Sequence, residues 1–182
     1  MIRDEDFVNV KEYIDDIEVD LKYASQDNFT GQVIYDFDEA FLRYGTVKKL
    51  ALVQERLKRE GYRMKIWDAF RPVSAQFKLW EVCPDDTFVA NPNTGYSSHS
   101  RGNTVDITLV HMDGGYVEMP TEFDDFSEQA KRTCSEGVSE EAEKNSLLME
   151  KLMEECGFEP YVNEWWHFSD RDEYPVEENF LP

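Results

Sequence analysis

Basic residues are scarce in this chain: 19 Lys and Arg stand against 39 Asp and Glu, a formal net charge of −20 over 182 residues. So acidic a surface repels phosphate, which argues against nucleic acid and anionic membrane as partners. It reads as a solvated surface and identifies no substrate. No run of 18 apolar residues occurs, so no membrane span is expected. Met1 to Asp6 has neither a basic start nor an apolar stretch, which predicts no signal peptide. The cysteines Cys83, Cys134 and Cys156 are far apart and odd in number. They form no CxxC pair and no disulfide framework, a pattern that suits the reducing cytoplasm. The 9 glycines and 7 prolines build no linker, and nothing repeats. Residues 1–182 are therefore expected to form one domain with a sizeable core. Histidine is the rarest useful group, with 3 in the chain, and His99 and His167 both lie in segments that also carry carboxylates.

Periodicity supplies the elements. Ile17, Val19, Leu21 and Tyr23 alternate with Glu18, Asp20 and Lys22, which predicts a half-buried strand ahead of a turn at 27–31. Thr46 to Glu60 reads as a helix: Thr46 is the expected N-cap, Gly61 the stop, and Val47, Leu50, Val53 and Leu57 share a face. A strand is expected at 62–68, a helix opened by Pro72, and a polar loop at 85–96 placed to line a site. In the strand at 103–110, Val105, Ile107 and Leu109 face one way and Thr104, Asp106 and Thr108 the other. Asp113-Gly114-Gly115 signals a hairpin into a strand at 116–119. Ser139 to Cys156 reads as an amphipathic helix, and strands are expected at 158–162 and 165–168. The interspersed order argues an α+β fold with a mostly antiparallel central sheet flanked by helices.

An aspartate inside an apolar β run is expensive to bury unless it is paired or bound to a metal. Asp106 is such a residue; its candidate partners are a metal shared with His99, seven residues earlier, or the nearby Arg101. Glu164 and His167 form the second pair. On a regular strand, residues three apart face opposite sides, so both serve one site only across a bulge, a preceding turn or a helical turn. The intervening Trp165 and Trp166 read as core. His99, Asp106 and His167 together give two imidazoles and a carboxylate with a fourth position open for water, a catalytic zinc set; closed structural sites are rich in cysteine. Zinc would acidify that water, and Glu164 would act as the general base. Either carboxylate can serve as ligand; Asp106 is preferred because Glu164 has the longer reach beside His167. Arg71, where the strand ends in Trp67-Asp68-Ala69-Phe70-Arg71-Pro72, suits a carboxylate or an oxyanion, or equally an ion pair with Asp68. His111 reads as an exposed loop residue.

The segments Trp67-Asp68-Ala69-Phe70-Arg71-Pro72, Ser97-Ser98-His99-Ser100-Arg101-Gly102 through Asp106-Ile107-Thr108-Leu109, and Glu164-Trp165-Trp166-His167 resemble those of the D-alanyl-D-alanine dipeptidases. These belong to the zinc D-Ala-D-Ala metallopeptidases related to the hedgehog fold. The likeness extends to Leu21-Lys22-Tyr23-Ala24, to 27–31 and to 123–127. It implies zinc on His99, Asp106 and His167, Glu164 as base, and Arg71 stabilising the tetrahedral intermediate. It implies that Ser97, Tyr23 and Asp124 hold the free amine of a dipeptide, the only substrate size the family's pocket admits. The implied role is cell-wall dipeptide recycling or glycopeptide resistance. Two departures stand out: the loop between Pro72 and Ser97 is shorter than in the family's vancomycin-resistance type, and Gln129-Ala130-Lys131-Arg132 stands where members often carry histidine. The competing readings are a D,D- or L,D-carboxypeptidase on longer peptidoglycan peptides, and a zinc module in which the metal serves only stability. The first would need an export signal; the second needs neither Glu164 nor Arg71.

Overall fold

The computed structural model describes residues 1–182, and its fold is α+β. Ten regular elements follow one another: β1 (Phe7–Asn9), β2 (Glu18–Val19), β3 (Phe41–Arg43), α1 (Tyr44–Arg59), β4 (Tyr62–Asp68), α2 (Val73–Val82), β5 (Thr104–His111), α3 (Glu140–Glu155), β6 (Phe158–Pro160) and β7 (His167–Asp170). β1 and β3 form a small antiparallel ribbon. The other strands make a five-stranded sheet in the order β2-β4-β5-β7-β6. Only the β2–β4 pair is parallel, so the expected mostly antiparallel sheet is present.

The apolar face of the sheet is closed by two helices, α1 against β4 and α3 against β6, which also touch each other. Val47, Leu50, Val53 and Leu57 are fully buried, as their spacing predicts, and so are Val105, Ile107, Met64 and Ile66. Trp165 and Trp166 belong to this core, 1% and 0% exposed. α3 begins as predicted: Ser139 Oγ accepts a hydrogen bond from Ala142 N at 3.1 Å, and three glutamates occupy the positive first turn.

Five local expectations need correction. The alternating run from Ile17 holds strand geometry only at Glu18–Val19, and Lys22–Ala24 is a 3-10 turn. Its partner β4 departs from regular register after Ile66, so the ladder has nothing straight to follow, and the chain turns Tyr23 inward. Thr46 is not the N-cap of α1, which starts two residues earlier with no side-chain cap; its hydroxyl instead donates to the buried Asp170 Oδ2 at 2.8 Å. Residues 116–119 form no strand: after one bridge between Val110 and Tyr116 the chain leaves for α3, where Asn145 Nδ2 donates to the Glu118 carbonyl at 2.9 Å. The closing strands are shorter and shifted, β6 ending at Pro160 and β7 starting at His167, with a turn between them. His111 is exposed, but as the last residue of β5.

Candidate metal centre and active site

The site is built on the polar face of the sheet by its register. Asp106 of β5 sits opposite His167 on one side and opposite Asp68 on the other. The pairing with Asp68 depends on a bulge. Ile66 pairs with Ile107 and Asp68 with Asp106, so Trp67 is an extra residue in β4. Without it Trp67 would stand opposite Asp106; the bulge re-aims the carboxylate of Asp68 toward the site.

His99 arrives from the 3-10 turn Ser98–Arg101, capped by Ser97 Oγ, which accepts from His99 N at 3.2 Å. The turn closes on Gly102 at φ 76°, where an added Cβ would fall 2.4 Å from Phe7 Cε1. Gly102→Ala is therefore expected to cost about 2–4 kcal/mol, combining a left-handed backbone with overpacking against a ring. Chemical denaturation measures this directly, and an unchanged midpoint would contradict it.

The imidazole of His99 is 3% exposed and donates from Nδ1 to the Ala69 carbonyl at 2.8 Å. That bond fixes the tautomer and turns Nε2 inward, toward Asp106 Oδ2 at 3.2 Å. His167 Nδ1 lies 3.1 Å from Asp106 Oδ1 and 3.4 Å from Glu164 Oε1. One ligand atom from each of His99, Asp106 and His167 lies within 4.8 Å of the others. Asp106 Oδ1 is fully buried and, although close to His167, makes no hydrogen bond. A buried carboxylate oxygen without a partner is costly, and a divalent cation held by these three groups would satisfy it. The donor set fits such an ion. Arg101 does not compete for Asp106; its guanidinium donates to the Tyr174 carbonyl at 2.8 Å.

Electrostatics follow the geometry. Burial opposes ionisation of Asp106, but His99 and His167 outweigh it and hold its carboxyl well below the usual range. For His99, burial lowers the pKa while Asp106 and Asp68 raise it, and the net shift is upward. Glu164 is pushed up from the carboxylate range by burial, against the pull of His167 and with the push of Asp106. It sits in the turn before β7, where His167 N donates to its carbonyl at 3.3 Å. Of the geometries open to Glu164 and His167, this is the preceding turn, and it puts both side chains on one side.

Arg71 is buried, and of its two anticipated roles the ion pair with Asp68 is the one observed. It pairs with Asp68 at 2.6 Å, and it also lines the same cavity as the two histidines and Glu164. Its guanidinium is further held by Gln76 Oε1 at 2.7 Å and Tyr35 Oη at 3.3 Å, and the Tyr35 hydroxyl donates to Asp68 at 2.6 Å. Sequence reading missed Tyr35 and Gln76. A glutamine on the buried face of α2 was a usable signal; nothing around Tyr35 was.

The cavity encloses about 780 Å³. Ser97, Tyr23 and Asp124 all line it, together with residues of the 85–96 loop such as Phe88 and Tyr96. The Tyr23 hydroxyl donates to Asp124 Oδ2. Asp124 is the one non-glycine residue with positive φ, 53°, a backbone that aspartate tolerates better than most. Burial pushes its carboxyl up to about 7, partly offset by the Tyr23 hydrogen bond.

Residues 3–182 match the model of a peptidase family described as D-ala-D-ala dipeptidase. The D-alanyl-D-alanine dipeptidase of Escherichia coli (strain K12) is 37% identical over 153 residues, covering 84% of this chain and 78% of that protein. That of Enterococcus faecalis (strain ATCC 700802 / V583) is 34% identical over 190 residues, covering 93% and 94%. That of Streptomyces coelicolor (strain ATCC BAA-471 / A3(2) / M145) is 31% identical over 191 residues, covering 92% and 93%. A solved structure described as VanYB in complex with D-Alanine-D-Alanine aligns with a TM-score of 0.48 at 14% identity, over 86% of this chain and 78% of that one. With the family matched over nearly its whole length and three relatives above 30% identity, this chain belongs to the D-Ala-D-Ala dipeptidase family of peptidases.

Proposed function

We propose that residues 1–182 act as one catalytic domain, a zinc dipeptidase that hydrolyses free D-Ala-D-Ala in the cytoplasm. The observation that carries this reading is the convergence of His99, Asp106 and His167 with Glu164 3.4 Å from the His167 ring. Two imidazoles and one carboxylate would hold zinc and leave a position open. Bound there, the ion would polarise the scissile carbonyl and acidify water. Glu164 takes a proton from the attacking water and returns it to the leaving amine; a carboxylate raised by burial is suited to both transfers. Arg71 donates to the oxyanion that develops on the former carbonyl. Its network with Asp68, Tyr35 and Gln76 fixes the guanidinium before reaction, so no reorganisation is needed at the transition state.

Asp124, with the Tyr23 hydroxyl and Ser97, binds the substrate ammonium. A carboxylate on the cavity wall selects a charged amine over an acylated one, because an amide leaves the charge unpaired. Hydrolysis of D-Ala-D-Ala beside N-acetyl-D-Ala-D-Ala tests this reading: the free dipeptide is cleaved and the blocked one spared. Equal turnover of both would favour a carboxypeptidase on longer peptides.

The same contact has a pH signature. The charged or titratable groups acting on Asp124 are Tyr23, Asp106, Arg71 and Asp68. With its pKa near 7, Asp124 loses its charge as pH falls through neutrality. KM for D-Ala-D-Ala is expected to rise below about pH 7 in the wild type, and Asp124→Asn should raise KM and flatten that dependence. Steady-state kinetics from pH 5.5 to 8.5 checks it; a parallel KM profile in both proteins would remove Asp124 from the amine site.

A further inference from the structure

The site lies at the ends of β6 and β7, and the turn joining them carries Glu164 and leads into His167. The two hydrogen bonds that place Glu164 within the turn are long, Glu164 N to the Tyr161 carbonyl and His167 N to the Glu164 carbonyl, both 3.3 Å, while the ends of the turn are joined by Tyr161 N donating to the His167 carbonyl at 3.0 Å. A base and a ligand on one loop need a fixed separation, and a single bond of normal length at the neck leaves room for support from outside the turn.

The segment 130–132 meets that need from a distant part of the chain. Ala130 O accepts from Trp165 N at 3.0 Å, and Arg132 N donates to the Val162 carbonyl at 2.9 Å. The Arg132 side chain goes further. Nε donates to the Tyr161 carbonyl at 2.7 Å and Nη2 to the His167 carbonyl at 2.8 Å. Those are the residues at which the turn leaves and rejoins the sheet. Each carbonyl already accepts one backbone N–H, so the guanidinium occupies its second lone pair. Its plane lies over the Phe168 ring, 4.3 Å from the centroid, and the side chain is 7% exposed. A planar fork reaches two carbonyls at once; an ammonium on a flexible stem reaches one.

We infer that Arg132 is a positioning residue for the active-site turn, bridging its two ends and thereby fixing Glu164 relative to His167. This rests on the roles proposed above for those two residues. Arg132 touches neither substrate nor reacting atoms. A residue required only for folding would affect stability alone; one that sets this geometry alters proton transfer and metal affinity while leaving the amine pocket as it was.

The test compares wild type, Arg132→Lys and Arg132→Met as zinc-loaded enzymes. Three quantities are measured: kcat and KM for D-Ala-D-Ala, zinc dissociation by competition with a chromophoric chelator without substrate, and the thermal midpoint. In Arg132→Met, kcat is expected to fall and zinc to bind more weakly, each by about 10- to 100-fold, the range for outer-shell partners of a metal ligand. KM stays within about threefold, since the substrate contacts are intact. Arg132→Lys falls between the two. A Met variant with lowered thermal midpoint but wild-type kcat and zinc affinity overturns the inference. Should that variant not fold, the Lys variant decides, and wild-type values there overturn it equally. A wild type that neither holds zinc nor cleaves the dipeptide overturns the functional reading itself, and this inference with it. Active wild type beside unaltered variants overturns this inference alone.

Discussion

Glu164→Gln is expected to lower kcat for D-Ala-D-Ala by about 10²- to 10⁴-fold with zinc content unchanged, the range for loss of a positioned proton-transfer group. Glutamine keeps the size of the side chain and its place in the turn but accepts no proton at neutral pH. The carboxylate stands 3.4 Å from His167 and on the cavity wall, close enough to act on water at the metal set yet outside the three groups that converge. Because the loss falls on a step after binding, KM should move little and kcat/KM should fall in parallel with kcat. Atomic absorption on the purified variant, beside its kinetics, separates the two roles open to a carboxylate here. Loss of zinc along with activity would make Glu164 a ligand instead of a base. Full activity would remove it from the reaction.

Asp106→Ala is expected to abolish turnover for the other reason, by losing the metal. Asp106 is central: it stands beside both imidazoles, 3.2 and 3.1 Å away, and on the middle strand of the row Asp68-Asp106-His167. Two histidines without it leave an incomplete, weak site. Stability should respond in a telling way. In the wild type, zinc at a thousandfold over its dissociation constant adds about 4 kcal/mol to folding stability. Chelation removes that and leaves a buried Asp106 oxygen without a partner, so the thermal midpoint drops. In Asp106→Ala the carboxylate is gone, and zinc should no longer move the midpoint. A variant whose midpoint still rises with zinc as the wild type's does would refute the assignment of Asp106 as ligand.

Much of this site was legible in the sequence because its chemistry is concentrated in scarce residues. With 3 histidines in 182 residues, two of them beside carboxylates, few metal sets were possible. The alternation of β5 put Asp106 opposite Val105 and Ile107, and the fold keeps that division. Helices α1 and α3 were read well because a 3.6-residue period sustained over many residues resists local noise. What escaped depended on contacts far apart in the chain. The bulge at Trp67 is set by register against β5, which no local pattern announces. Thr46 looks like a cap until Asp170, 124 residues away, claims its hydroxyl. Tyr23 fits an alternating strand, yet the chain turns there and delivers it to Asp124. Arg132 sits in an irregular stretch, and its two carbonyl partners are 29 and 35 residues on. Backbone carbonyls leave no mark in a sequence, so a residue that works through them is seen only in the structure.

One titration bears most directly on the reading of this chain as a zinc dipeptidase: apoprotein prepared by chelation, zinc returned in substoichiometric steps, and D-Ala-D-Ala hydrolysis followed at each step. Turnover should be absent at the start, rise in proportion to added zinc, and level off at one ion per chain, with N-acetyl-D-Ala-D-Ala left intact throughout. Full turnover in the chelated protein, or an intact dipeptide at every zinc level, would contradict it.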